Sequence, residues 1–168
     1  MRNHRLRSPL LGAFSLAAIA CSTTIDGPEG SETPVPVTRL RAEPYSFTYY
    51  SGLKAAERLV IRDEATWQTT WAAIWRNTTP GPALPAIDFE REMLVVAALG
   101  ERSTGGFSIV VESASATGTA LTVRIHSTAP GSSCLTTQAQ TQPVDIARLP
   151  RIQGPVSFLD DASVVDCR

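Results

Sequence analysis

Trp67, Trp71 and Trp75 recur at intervals of four residues with Ile74 beside them, and this stripe is the one convincing helical period in the chain. Asp63 stands where an N-cap is expected, and Glu64 puts negative charge at the positive end of the helix dipole. Asn77-Thr78-Thr79-Pro80-Gly81-Pro82 then stops the helix. A helix with three indoles on one side lays that side on a sheet far more often than it offers a ligand platform. The remaining apolar runs read as strands. Tyr45 to Tyr50 and Glu57 to Arg62 precede and adjoin the helix, and Met93 to Leu99 is apolar without alternation, the mark of a central strand covered on both faces. Phe107 to Glu112 and Leu121 to His126 alternate in part and join through Ala116-Thr117-Gly118-Thr119 as a hairpin. Pro143 to Leu149 and Pro155 to Leu159 add two short strands. The expected fold is mainly β: an antiparallel sandwich or open barrel with one packed amphipathic helix.

Residues 1–20 read as an export leader, with Arg2, Arg5 and Arg7 ahead of an apolar run from Leu10 to Ala20 that is too short for a mature membrane span. Ala18-Ile19-Ala20-Cys21 resembles the bacterial lipobox, in which small residues precede a cysteine that is acylated and becomes the new N-terminus. Ala18 stands where leucine is usual, and Ser22 follows the cysteine in place of aspartate. The resemblance implies a lipid-anchored protein of the bacterial cell envelope, held in a diderm at the outer membrane. Residues 21–43 are rich in Pro, Gly, Ser, Thr and acid and read as the lipidated cysteine with a flexible tether; residues 44–168 read as the folded domain. With Cys21 lipidated, Cys134 and Cys167 remain as an even pair in an oxidising compartment. A bond between them closes a loop of about 34 residues, for which chain entropy gives about 3.8 kcal/mol.

Charge and motif content exclude several functions. The chain has 15 basic and 16 acidic residues; three of the basic ones leave with the leader, so the remainder carries twelve against sixteen, a net of −4. No basic field is available for nucleic acid. His126 is the single histidine beyond the leader and shares an alternating face with Arg124 and Thr122, which reads as a solvated strand position. HExxH, a Cys/His cluster and a GxSxG elbow are all missing, and the neighbouring acids Asp160-Asp161 and Glu90/Glu92 have no partner in sequence reach. No catalytic, metal or cofactor set is therefore expected.

The candidate contact is a loop: Glu101, Arg102, Ser103, Thr104, Gly105, Gly106 and Phe107, following Gly100. A strand follows it, so phosphate cradling at a helix N-terminus does not apply. The two glycines serve a tight connection, and they also expose backbone at the end of a sheet to a protein partner. The two uses are compatible.

The order of segments resembles a known family. A Trp-rich helix after a strand, then Pro85 to Gly100, Thr104 to Ile109, Leu121 to Val123, Ala129-Pro130-Gly131, Cys134, Thr137 to Pro143 and Pro155 to Phe158 together resemble the PrcB C-terminal domain family. The resemblance implies an accessory or stabilising lipoprotein of a surface protease complex, whose partner is another exported protein such as that protease. The alternative is inhibition. Thr104-Gly105-Gly106-Phe107 is loosely similar to the binding loop of chagasin-type cysteine protease inhibitors, although Glu101-Arg102 stands near where those have Asn-Pro.

Overall fold

The computed structural model describes residues 31–41 and 49–167, so the leader, Cys21 and most of the strand expected from Tyr45 lie outside the described residues. In chain order the elements are β1 (Thr33–Val35), β2 (Thr38–Arg39), β3 (Glu57–Ile61), α1 (Glu64–Ile74), β4 (Glu92–Ala98), β5 (Ser108–Thr117), β6 (Ala120–Pro130), β7 (Val144–Pro150) and β8 (Val156–Val165). They make two four-stranded sheets, β1-β5-β6-β8 and β2-β7-β4-β3, stacked as a sandwich with the helix on the outer side of the second.

The unbroken apolar run of β4 follows from this layering. Met93, Val95 and Ala97 face the other sheet and meet Val111, Leu121, Val123 and Ile125, while Leu94, Val96 and Ala98 face the helix and meet Trp67, Trp71 and Ile74. Asp63 caps that helix, its Oδ1 accepting the Thr66 N–H at 2.8 Å. This backbone bond favours the ionised form and holds the Asp63 carboxyl below its usual value. The cap is thus fully formed above the ordinary aspartate range and weakens as pH falls through the lowered value.

Four expectations change in detail. The hairpin strands run further than their alternation suggests, because the register shifts between Val111 and Ser113 and Glu112 is left as a bulge. The bulge restores the inward face, so that Val111 lies opposite Ile125 and Ala114 opposite Val123, all four buried. The turn is the two residues Gly118 and Thr119, with Gly118 at φ 60°. Second, the sandwich is not wholly antiparallel: β8 runs parallel to β6, since the chain leaves the first sheet for β7 and returns. Third, β8 spans ten residues, and Asp160 and Asp161 lie within it. Fourth, the stretch expected as tether supplies β1, which pairs with β5, and β2, which pairs with β7. Val35 and Val37 pack on the core between the sheets and Leu40 on the helix side, which is enough apolar contact to hold two such short edge strands.

Cys134 and Cys167 are joined in a disulfide, Cα atoms 4.8 Å apart. It ties the segment after β6 to the end of β8.

Candidate functional site

All seven loop residues singled out above lie together at one end of the sandwich, between β4 and β5. The loop is lashed down along its length. Glu101 N donates to Lys54 O at 3.0 Å, Arg102 exchanges two backbone bonds with Thr141 at 2.8 and 2.9 Å, and Gly105 N donates to Thr137 O at 3.0 Å. Thr141 Oγ1 adds a bond to Thr104 O at 2.9 Å. Residues 137–142 are thus the floor on which the loop rests, a contact between segments far apart in sequence.

Side-chain roles divide accordingly. The Arg102 guanidinium donates to Leu99 O at 2.9 Å and lies 5.7 Å from the Phe107 ring centre, so it braces the loop from inside. Glu101 accepts from Gln142 Nε2 at 3.3 Å, and its 3.9 Å pairing with the exposed Lys54 adds little. Gly106 sits at φ 89°, and a Cβ on Gly105 would stand 2.4 Å from Thr137 Oγ1, so one glycine makes the turn and the other permits close approach. Ser103 and Gly106 face solvent.

Apolar side chains that sequence reasoning did not assign to this end flank its floor. Tyr50 bridges to Gln142 and is 57% exposed, Tyr49 is 44% exposed, and Leu135, on the segment leading into the floor, is fully exposed. Exposed aromatic and aliphatic groups beside a braced polar loop have the make-up of a protein contact. Tyr49 and Tyr50 carried a signal in their aromatic character, but it read equally well as strand propensity.

A buried carboxylate was also missed. Asp145 of β7 accepts the Val111 N–H of β5 at 2.8 Å and pairs with Arg39 of β2 at 3.2 Å, joining the two sheets beside the bulge. Replacing Asp145 with alanine strands a buried donor and is expected to cost about 1–3 kcal/mol, read from urea unfolding. Asp145→Asn keeps one acceptor and should lose less.

His126 has the partners that its position on β6 did not reveal. Its Nδ1 lies 3.3 Å from Asp161 Oδ2 and its Nε2 2.9 Å from Ser163 Oγ. The connectivity is that of a Ser-His-Asp triad. The three groups stand on the outer face of the sheet, with His126 opposite Asp161 in the parallel pairing of β6 with β8. The set acts as a staple between β6 and β8. Asp160, on the opposite face, accepts from Arg58 Nε and Nη2 at 2.9 and 2.6 Å.

Among the described residues no group of three or more His, Cys, Asp and Glu side chains is placed to hold a metal ion, and no helix is long and apolar enough to cross a membrane.

Residues 93–150 match the family model described as PrcB C-terminal. The matched residues run from within β4 to the end of β7, roughly a third of the chain, and contain the loop, its floor and the β5-β6 hairpin. This supports the family that the sequence resembles; α1 and β8 lie outside the matched residues. No curated protein and no solved structure matches the chain.

Proposed function

We propose that this chain is an exported, lipid-anchored protein that binds another exported protein and acts as an accessory or stabilising subunit of a surface protease complex. The observation that carries the reading is the PrcB C-terminal match over 93–150, which contains the braced loop and its floor. Lipid on Cys21 and the residues before β1 would hold the domain near the membrane, where a partner anchored on the same surface meets it at raised effective concentration. The loop supplies geometry in place of chemistry: a rigid polar turn, flanked by exposed apolar groups, loses little entropy on docking.

The test is capture from native membranes. The full-length protein, extracted in mild detergent and cross-linked, is expected to retain an exported protease, and its Cys21 peptide to carry a diacylglyceryl mass. Ser103→Arg places a bulky cation on an exposed position and should weaken capture at least tenfold with melting unchanged; Arg102→Ala should lower both, since Arg102 braces the loop. Retention of no exported protein by the wild-type chain would overturn the reading. Loss of protease activity on titration with the chain would replace it by inhibition.

A further inference from the structure

We propose that the free edge of β8 is a docking strand, which takes an extended, basic segment of another protein as a fifth strand of the β1-β5-β6-β8 sheet. The inference rests on the protein-binding reading above and names the contact. β8 is the last strand of its sheet among the described residues. Its ladder with β6 begins with Leu121 N donating to Pro155 O at 2.9 Å and ends with Gly131 N donating to Val165 O at 2.8 Å. In a parallel ladder alternate residues of a strand bond to a given neighbour, so the odd-numbered residues of β8 face β6. Phe158, Asp160, Ala162 and Val164 therefore turn their N–H and C=O groups outward.

Edges of this kind are usually short or blocked. β1, at the opposite edge of the same sheet, is three residues long and contains Pro34, whereas β8 runs for ten, against about 5–6 in an ordinary strand. Its second half is exposed, Val164 at 66%. Beneath that half Ala162 lines a groove of about 230 Å³ with Leu99, Arg102, Phe107 and Ala129. The groove is continuous with the loop, since Arg102 and Phe107 belong to both. A strand laid beside Ala162 turns alternate side chains toward this rim, where an apolar group fits.

Charge selects the occupant. The Asp161 side chain is 62% exposed at the middle of the edge, while Asp160 beside it is already paired with Arg58 on the other face. A second copy pairing antiparallel about Asp161 would set this carboxylate against its own copy, and like charges directly opposite are destabilising. A lysine- or arginine-bearing strand is complementary. In the undocked chain Asp161 Oδ1 accepts the Ala162 N–H at 2.9 Å, capping the central outward donor. An incoming carbonyl takes over that donor and releases the carboxylate to the basic side chain.

The test uses the processed chain in detergent with a peptide of alternating lysine and valine, and a glutamate–valine peptide as control. Amide exchange is expected to slow at the even positions of β8 with the lysine peptide and not with the control. Ala162→Pro removes an N–H that the β6 ladder does not use, so melting should hold while affinity falls at least tenfold. Asp161→Lys, which keeps every backbone group, should reverse the preference between the peptides. Equal binding by Ala162→Pro, together with unchanged preference in Asp161→Lys, would overturn the proposal. So would even-position amides already protected in the free chain, or a concentration-dependent dimer that Ala162→Pro abolishes, which would assign the edge to this chain's own tether or to a second copy. Protease capture that Ala162→Pro leaves intact sinks the docking strand and spares the accessory role. Edge binding without capture of any exported protein does the reverse.

Discussion

Trp67→Ala is expected to lower stability by about 3–5 kcal/mol, seen as a fall in the urea midpoint with little change in its slope. Trp67 is fully buried, its ring lies 5.0 Å from that of Trp71, and Trp71 lies 5.6 Å from Trp75. The stripe does more than fill space. Trp67 Nε1 donates to Pro85 O at 3.0 Å and Trp71 Nε1 to Pro82 O at 3.1 Å, so the indoles also hold the chain that leads back from the helix to β4. Trp67→Phe retains most of the apolar area and loses the donor, and should cost nearer 1–2 kcal/mol. A loss below about 1 kcal/mol for the alanine variant would mean that the helix is no part of the cooperative unit, which contradicts its share of the core.

The same residues explain why this part of the fold was legible. A helical period of three indoles and an unbroken run from Met93 to Leu99 are local patterns, and each has one economical burial: the indoles on a sheet, the run between two layers. Glu112 shows the limit. One bulged residue breaks the alternation of β5, so the apolar pattern stops at Val111 although the strand continues to Thr117. β1 and β2 were illegible for another reason, because Thr33-Pro34-Val35 and Thr38-Arg39 are too short to show a period and gain their order from β5 and β7. The direction of β8 depends on the chain's excursion through β7, which no spacing within β8 records.

The candidate site divides along the same line. The loop was visible because glycine pairs and polar residues between two strand patterns mark a turn, and the seven residues do lie together at the sheet end. Its floor was not, because Thr137 and Thr141 are joined to Gly105 and Arg102 across more than thirty residues of intervening chain. Asp145 and His126 fall under the same physics: each was an ordinary strand residue until tertiary pairing brought Val111, or Asp161 and Ser163, within bonding distance. Arg102 is the instructive case. As a sequence letter it is a charged loop residue available to a partner, whereas in the fold its guanidinium is occupied by Leu99 O and Phe107, which makes its exposed neighbour Ser103 the cleaner probe of the proposed contact.

Replacing both Cys134 and Cys167 by alanine is expected to cost about 3.8 kcal/mol, the chain-entropy value for a loop of about 34 residues. For a domain whose whole stability is about 5–15 kcal/mol this is a large fraction, and the variant should melt well below the wild type. The structure adds a local effect. The crosslink closes a cluster at the end of β8, where Gly131 N donates to Val165 O at 2.8 Å and Ser133 Oγ to Cys167 O at 3.0 Å. The outer half of β8 has few buried side chains of its own, so its order depends on β6 and on this covalent tie. Amide exchange from 161 to 167 should accelerate in the variant well before the core strands β4 and β7 respond. The two measurements separate the mechanisms. A drop near the entropic value with β8 responding first means that the bond both restricts the unfolded chain and pins the edge strand, whereas a drop below about 1 kcal/mol with acceleration confined to β8 means that it acts by pinning alone. Under the second outcome binding of the lysine–valine peptide should fall with the disulfide, because a frayed edge must first be ordered before it can pair.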